Sequence, residues 1–296
     1  MYFVFVFSNF SKILEKASKD WDGGYVIAGM LGHGESFVLR DPSGIRPAYY
    51  YEDSEIVTVA SERPVIQTVF DIPFEKIKEL QPGRAIITKK GENAKIVKVL
   101  DQLPKKSCSF ERIYFSRPDS LLDNKTAYEH RKNLGKELAK ENDFNADIVV
   151  PVPDSGNAAA LGFAQHLNVN YEHGLIRNHY VGRTFIEPSQ KIRSLGVKLK
   201  LNANQTTIKD KKIILIDDSL VRGTTSHKIV KMLYDAGAKE VHVRIACPEI
   251  KHPDFYGVDT PTKKELLAAN KNTDEICEYI GAVSYTHLTL PTNREV

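Results

Sequence analysis

Ile213-Ile214-Leu215-Ile216-Asp217-Asp218-Ser219-Leu220-Val221-Arg222-Gly223-Thr224-Thr225 is the stretch that decides the fold. Its first half, entered from Lys212, is short, β-branched and free of polar alternation, the pattern of a parallel strand covered on both faces. Ligands of an open α/β sheet sit beyond the carboxyl ends of such strands. Attention therefore falls on the residues after Ile216. Thr224, Thr225 and Ser226 offer hydroxyls to cap a helix whose apolar face reads Ile229, Met232, Leu233 and Ala236 and which stops at Gly237. Val241, Val243 and Ile245 then alternate as in another strand. Strand, turn, helix, strand is a βαβ unit.

Asp217 and Asp218 leave an extended chain on opposite sides, so both reach one ligand only where the strand ends and turns. Paired acids suit the vicinal hydroxyls of a ribose and a hard, oxygen-seeking Mg²⁺ that keeps most of its waters. Gly223 lets the backbone approach an anion, and the free N–H groups and dipole at the helix start favour a phosphate. For the acid pair alone, a solvated Asp-Asp-Ser turn is the plain alternative. Arg222-Gly223-Thr224-Thr225 beside it tips the balance, because several independent chemical requirements then coincide.

Three further stretches bear on function. Asp147-Ile148-Val149-Val150-Pro151-Val152-Pro153-Asp154-Ser155-Gly156 is a second apolar strand ending at a proline-punctuated turn, followed by an alanine-rich helix from Asn157 to Leu167. Alone, it is as readily an ordinary strand-to-helix loop. Arg177-Asn178-His179-Tyr180-Val181-Gly182-Arg183-Thr184-Phe185 runs on through Lys191, Arg193, Lys198 and Lys200 to Leu201-Asn202-Ala203-Asn204 with few periodic apolar positions and many basic ones. That describes a lid over an anionic ligand, or else a charged surface loop. Gly23 to Ala28, Val38 to Pro47, Val59 to Glu62 and Leu80 to Ile87 read as short alternating strands joined by Gly/Pro turns, with Arg40-Asp41 as a structural ion pair.

Together these stretches resemble the type I phosphoribosyltransferases, and among them the glutamine amidophosphoribosyltransferases, over roughly residues 20 to 281. The resemblance implies an α/β fold in two parts. Residues 105–282 are expected to form a phosphoribosyltransferase domain, a parallel sheet flanked by helices. Residues 1–104 are expected to be the truncated second half of a class II glutamine amidotransferase domain of αββα type. The implied reaction moves an amino group to C1 of phosphoribosyl pyrophosphate (PRPP) with Mg²⁺, the first committed step of purine synthesis. Asp217 and Asp218 would hold the ribose hydroxyls and the metal, and Ser219, Arg222, Gly223, Thr224, Thr225 and Ser226 the rest of the 5′-phosphate turn. Asp154, Ser155 and Gly156 would form the pyrophosphate loop, with Arg177, Tyr180 and Arg183 reaching pyrophosphate from the lid; Tyr180 and Arg183 are the residues assigned to catalysis. Some members place a serine ligand for Mg²⁺ where Gly156 stands. Residues 248 to 281, with Pro248, Pro253 and Pro261 ahead of a helix near Lys263 to Ala269, would be a flap that covers the acceptor.

The chain also departs from that family. Its glutaminase opens on a cysteine whose own α-amino group serves as base, whereas this sequence opens Met1-Tyr2-Phe3-Val4 and has cysteines only at 108, 247 and 277. Ammonia is then the expected nitrogen source, with glutamine serving only a longer parent. The parent is also expected to be a homo-oligomer inhibited by purine nucleotides. At the other end, family-like sequence stops at Val283, and Ser284 to Val296 resembles a translated adapter, so residues 283–296 are set aside as non-native. Some relatives carry an iron–sulfur cluster, but Asp254 stands where they have cysteine, and a cluster needs its thiolates. No cluster is expected in this chain.

Composition narrows the classes further. At 296 residues the chain is long enough for about two domains, and a net charge of +3 gives no basis for nucleic-acid binding. No stretch reaches the roughly 20 apolar residues of a membrane span. Three cysteines without CxxC spacing suit a reducing, cytoplasmic setting. Two other functions share the motif: a PRPP-binding regulator without turnover, and a transferase that takes a nucleobase. The strands of residues 20 to 100 fit neither.

Overall fold

A computed structural model describes residues 10–289 apart from His33, Asp143, 181–199, Gly257, Asp259 and Pro261. The chain divides into two compact units, one of Met1–Phe110, Ser116–Leu121 and Asp254–Asp259, the other of Glu111–Phe115, Leu122–Pro253 and Thr260–Val296. The sequence expectations that fall in 181–199, Arg183 among them, lie outside the described residues.

In the first unit the strands are β1 (Val26–Met30), β2 (Ser36–Arg40), β3 (Tyr49–Glu52), β4 (Val57–Ala60), β5 (Lys78–Glu79), β6 (Arg84–Thr88) and β7 (Lys95–Lys98); the helices are α1 (Phe10–Ser18) and α2 (Arg63–Phe70). Two antiparallel sheets form, ordered β1-β2-β6-β7 and β4-β3-β5. Alternation along β6 decides the layering: Ala85 and Ile87 join Phe10 and Leu14 of α1, while Ile86 points the other way to Ala48, Tyr50 and Leu80. Tyr49, Ile66 of α2 and Ile77 close the outer face of the smaller sheet. The layers run α1, sheet, sheet, α2, as the resemblance implies.

Arg40 and Asp41 do not pair with each other. Asp41, fully buried, accepts the N–H groups of Ser43 (3.1 Å), Ile45 (2.9 Å) and Arg46 (3.1 Å), folding the chain into a turn. Arg40 Nη1 donates to Glu79 Oε1 at 2.8 Å and to the Leu80 carbonyl, and its Nε to the Arg46 carbonyl at 2.7 Å. Burial raises the Glu79 carboxyl, but Arg40 and Lys105 outweigh it and leave the group below the usual carboxylate range. Glu79→Gln keeps an acceptor but removes the counter-charge of a guanidinium that is 2% exposed, and a loss of about 2 kcal/mol is expected by urea denaturation at pH 7. A depressed carboxylate stabilises above its unfolded value of about 4.3, so the gap to the parent should close as pH falls from there through the lowered value.

In the second unit, β8 (Leu121–Leu122) and β9 (Lys125–Thr126) lead into α3 (Ala127–Lys140). Then come β10 (Ile148–Pro151), α4 (Asn157–Leu167), β11 (Asn170–Tyr171), β12 (Leu175–Arg177), β13 (Leu201–Ala203), α5 (Gln205–Ile208), β14 (Lys212–Asp217), α6 (Thr224–Asp235), β15 (Glu240–Ile245), α7 (Leu267–Asn270), α8 (Thr273–Ile280) and β16 (Ser284–His287). A parallel sheet runs β11-β10-β14-β15-β16. Ile213 and Leu215 face α6 and α8, and Ile214 and Ile216 face α3 and α4, so β14 is buried on both sides. Thr126 and Glu129 form a reciprocal capping box at the start of α3.

The residues between the alternating apolar positions of β15 are buried as well: His242 stacks on Phe144 at 3.6 Å, and Arg244 donates to Asn142 Oδ1 and Ser284 Oγ. Two expectations need correction. Residues beyond Val283, set aside from the fold, supply edge strand β16, with Tyr285 and Leu288 buried. The helix drawn over Lys263 to Ala269 is a 3₁₀ turn at Lys263–Glu265 followed by the four-residue α7. No described helix is long and apolar enough to cross a membrane.

Candidate active site

Strand order explains where the site forms. From β10 the chain passes through α4 to β11 on one side, and from β14 it passes through α6 to β15 on the other. The loops leaving these two neighbours diverge, opening a crevice at their carboxyl ends. Pro151 of β10 lies level with Ile216 of β14, so the turn at 153–156 faces the turn at 217–223.

The acid pair sits at that crevice. Asp217 closes β14, half-buried, and Asp218 is 6% exposed in the bend that follows. The Asp218 N–H donates to Asp217 Oδ1 at 2.9 Å, and the Ser219 hydroxyl donates to Asp218 Oδ1. Burial pushes the Asp217 carboxyl well up, and the charge of Asp218 pushes it further. Burial raises Asp218 as well, against the hydroxyls of Ser155 and Ser219 and the buried guanidinium of Arg131. Cys247 lies close enough for both acids to add to the upward push of burial on its thiol, which is held as the neutral form.

The Val152 N–H donates to the Ile216 carbonyl at 2.8 Å, so the turn that carries Ser155 adjoins the acid pair and two motifs that lie far apart in sequence come together. Gly156, by contrast, has no room for a side chain: a Cβ there would lie 2.6 Å from the Ile216 carbonyl and 2.8 Å from that of Val152. The hydroxyl available to a metal at this turn belongs to Ser155. Asp154 pairs with Arg177 at the end of β12, whose Nε is buried and has no hydrogen-bond partner among the described residues. Tyr180 is fully exposed.

The turn from Arg222 to Ser226, expected to hold a phosphate, departs from expectation in its cap. Gly223 itself is the N-cap of α6, at φ +72°, and no side chain caps the helix. A Cβ at Gly223 would meet Leu267 Cδ2 at 2.5 Å and Tyr279 Cε1 at 3.0 Å, so glycine is required both by conformation and by space. Thr224 and Thr225 are exposed and Ser226 is buried. Sequence reading missed Arg131, Glu265 and Leu267. Arg131 carried a usable signal, a cation on the stripe Ala127, Arg131, Gly135, Leu138 that otherwise buries small and apolar residues.

Among the described residues no three His, Cys, Asp or Glu side chains are grouped to hold a metal. Two carboxylates with one hydroxyl nevertheless fit Mg²⁺, which is commonly held by one or two carboxylates, water and substrate phosphates.

A family model described as the phosphoribosyl transferase domain matches residues 118–272. The chain belongs to the phosphoribosyltransferase family. Among curated proteins it is 44% identical over 279 residues to the amidophosphoribosyltransferase of Rhizobium etli, covering 93% of this chain and 55% of that protein. The Bacillus subtilis amidophosphoribosyltransferase is 44% identical over 257 residues, covering 86% and 53%. A solved structure of the Bacillus subtilis glutamine PRPP amidotransferase complexed with ADP and GMP aligns with a TM-score of 0.79 at 42% identity, over 93% of this chain and 59% of that one. A second, of the allosteric regulatory enzyme of purine biosynthesis, aligns with a TM-score of 0.81 at 42% identity, over 93% and 58%. This phosphoribosyltransferase chain spans just over half the length of the relatives it matches.

Proposed function

We propose that the chain carries the phosphoribosyl-transfer part of an amidophosphoribosyltransferase. It replaces the pyrophosphate on C1 of PRPP with an amino group, giving 5-phosphoribosylamine. The C1–O bond to pyrophosphate breaks, the C1–N bond to ammonia forms, and the nitrogen loses a proton to solvent. The observation that carries this reading is the register of β10 and β14, which sets the Asp154-Ser155-Gly156 turn against the end of β14 and so beside Asp217 and Asp218 at one crevice.

Asp217 and Asp218 hold the ribose 2′- and 3′-hydroxyls. Arg222 and the turn from Gly223 to Ser226 take the 5′-phosphate, with Ser219 fixing Asp218. Asp154, Ser155, Gly156 and Arg177 surround the pyrophosphate, and Tyr180, with Arg183 from outside the described residues, is assigned to the same group by the family resemblance. Mg²⁺, held by Asp217, Asp218 and Ser155, would neutralise charge on the departing pyrophosphate. The protein's contribution is electrostatic and positional.

Residues 1–104 we take as part of a class II glutamine amidotransferase domain, and 105–282 as the transferase domain, working in the cytoplasm. Residues 1–107 contain no cysteine, so they supply no thiol nucleophile for glutamine hydrolysis. Purine nucleotides are the inhibitors we expect of the homo-oligomeric parent, in keeping with the ADP and GMP bound to the Bacillus subtilis relative.

The test is pyrophosphate release from PRPP with Mg²⁺. Ammonia should support it and glutamine should not. Turnover with a nucleobase instead would favour a base-using transferase, and PRPP binding without release a regulator. Glutamine-dependent release would overturn the assignment of nitrogen source.

A further inference from the structure

The segment from Thr262 to Asn270 falls in the expected flap, but its contacts are those of a fixed support. Asn270 Nδ2 donates to the carbonyls of Leu266 (2.7 Å), Lys263 (2.9 Å) and Lys264 (3.2 Å), tying the segment into one closed turn. Leu266, Leu267 and Ala268 are buried, and the last two belong to the same core as β14 and α6. Swinging such a segment outward would expose that apolar surface. The Leu267 N–H donates to the Val221 carbonyl at 2.9 Å, and the Leu267 side chain fills the space beside Gly223. The segment is therefore anchored to the back of the phosphate turn.

One side chain reaches forward from this support. Glu265, whose N–H is held by the Thr262 carbonyl at 2.8 Å, accepts a hydrogen bond from Arg222 Nε at 3.1 Å. Resting on the reading of Arg222 as a 5′-phosphate group, we propose that Glu265 is a positioning residue that sets the Arg222 guanidinium for that phosphate. A guanidinium presents five donors in a rigid fork. With Nε taken by Glu265, both Nη groups remain to grip phosphate oxygens. Arg222 would otherwise lose more rotamer freedom on binding. Both side chains are about half exposed, at 54% and 50%, so the pair contributes little to the fold by itself. Its effect falls on one end of the ligand.

Calorimetric titration of the whole chain with PRPP, ribose 5-phosphate and pyrophosphate, each with Mg²⁺, tests this. Glu265→Ala should weaken PRPP and ribose 5-phosphate by about three- to fivefold and leave pyrophosphate and the melting midpoint unchanged. Glu265→Gln, whose amide oxygen still accepts from Nε, should restore most of the loss. In the Arg222→Ala background, Glu265→Ala should add nothing. Equal weakening of pyrophosphate, additive losses, or no loss for ribose 5-phosphate would each overturn the inference while leaving the phosphoribosyl reading intact. Failure of the unaltered chain to bind any of the three ligands would remove that reading, and the inference with it.

Discussion

Asp217→Asn should weaken PRPP binding by about a hundredfold or more and, at neutral pH, raise the melting midpoint of the ligand-free chain. Opposite effects follow from one cause. Asp217 is pushed well above the ordinary aspartate range by burial and then by its neighbour Asp218, so ionising it costs more in the folded chain than in the unfolded one. A raised carboxyl adds no penalty below its unfolded value of about 3.9. As pH rises above that value the unfolded chain ionises first, and stability falls until the folded pKa is passed. Asparagine removes this loss yet keeps an oxygen for the Asp218 N–H, now 2.9 Å from Asp217 Oδ1. Variant and parent should therefore differ at pH 7 and converge near pH 3. Binding moves the other way. Loss of the charge-assisted hydrogen bonds to a ribose hydroxyl and to the metal, at about 1.5–3 kcal/mol each, lowers affinity by about a hundredfold or more. Thermal melts across pH and calorimetry with PRPP and Mg²⁺ decide it: an unchanged or lower midpoint at pH 7 refutes the stability argument, and retained PRPP affinity refutes the site.

Much of this site was legible because single residues carried several constraints at once. The apolar run before Asp217 fixed a strand and placed its carboxyl end, and Gly223 marked a place of close backbone approach, which the structure shows at positive φ. What sequence could not show was contact across distance. Nothing near Glu265 points to Arg222, 43 residues away, and the same Pro-punctuated composition serves a flap or a support. Nor does alternation along β15 reveal that Arg244 is 1% exposed. Its partners, Asn142 and Ser284, lie 102 and 40 residues away, and burial of a charge depends on whether such partners exist. The cap of α6 differs for a local reason: three hydroxyl residues after Gly223 look like caps, yet the glycine takes that position and they fall inside the helix. Gly135 and Gly162 gave no local signal either, since a helix-interior glycine reads only as a weak helix former.

Those two glycines carry the largest expected effect on stability. α3 and α4 pack so closely that a Cβ at Gly135 would lie 1.9 Å from the Ala159 carbonyl, and one at Gly162 equally close to the Lys132 carbonyl. Both obstacles are backbone, so no side-chain rotation relieves them, and the helices must part. Parting them opens the contacts of Leu138 and Ala139 with Ala159, Ala160 and Phe163. Helix propensity alone predicts the reverse, a gain of about 1 kcal/mol for Gly→Ala inside a helix. The sign of the result therefore separates the two effects. Gly162→Ala should destabilise by about 3 kcal/mol or more in urea denaturation, at the upper end of overpacking losses. Gly32→Ala, with nothing within 4 Å of the added methyl, should stay within about 0.5 kcal/mol of the parent. The damage should also reach the ligand. α4 begins at Asn157, directly after Ser155 and Gly156, and Gly156 is wedged between the Ile216 and Val152 carbonyls. A displaced α4 cannot keep Ser155 against Asp218, so PRPP affinity should fall together with stability in Gly162→Ala and in Gly135→Ala. A Gly162→Ala chain as stable as its parent would show that the two helices do not rely on backbone contact.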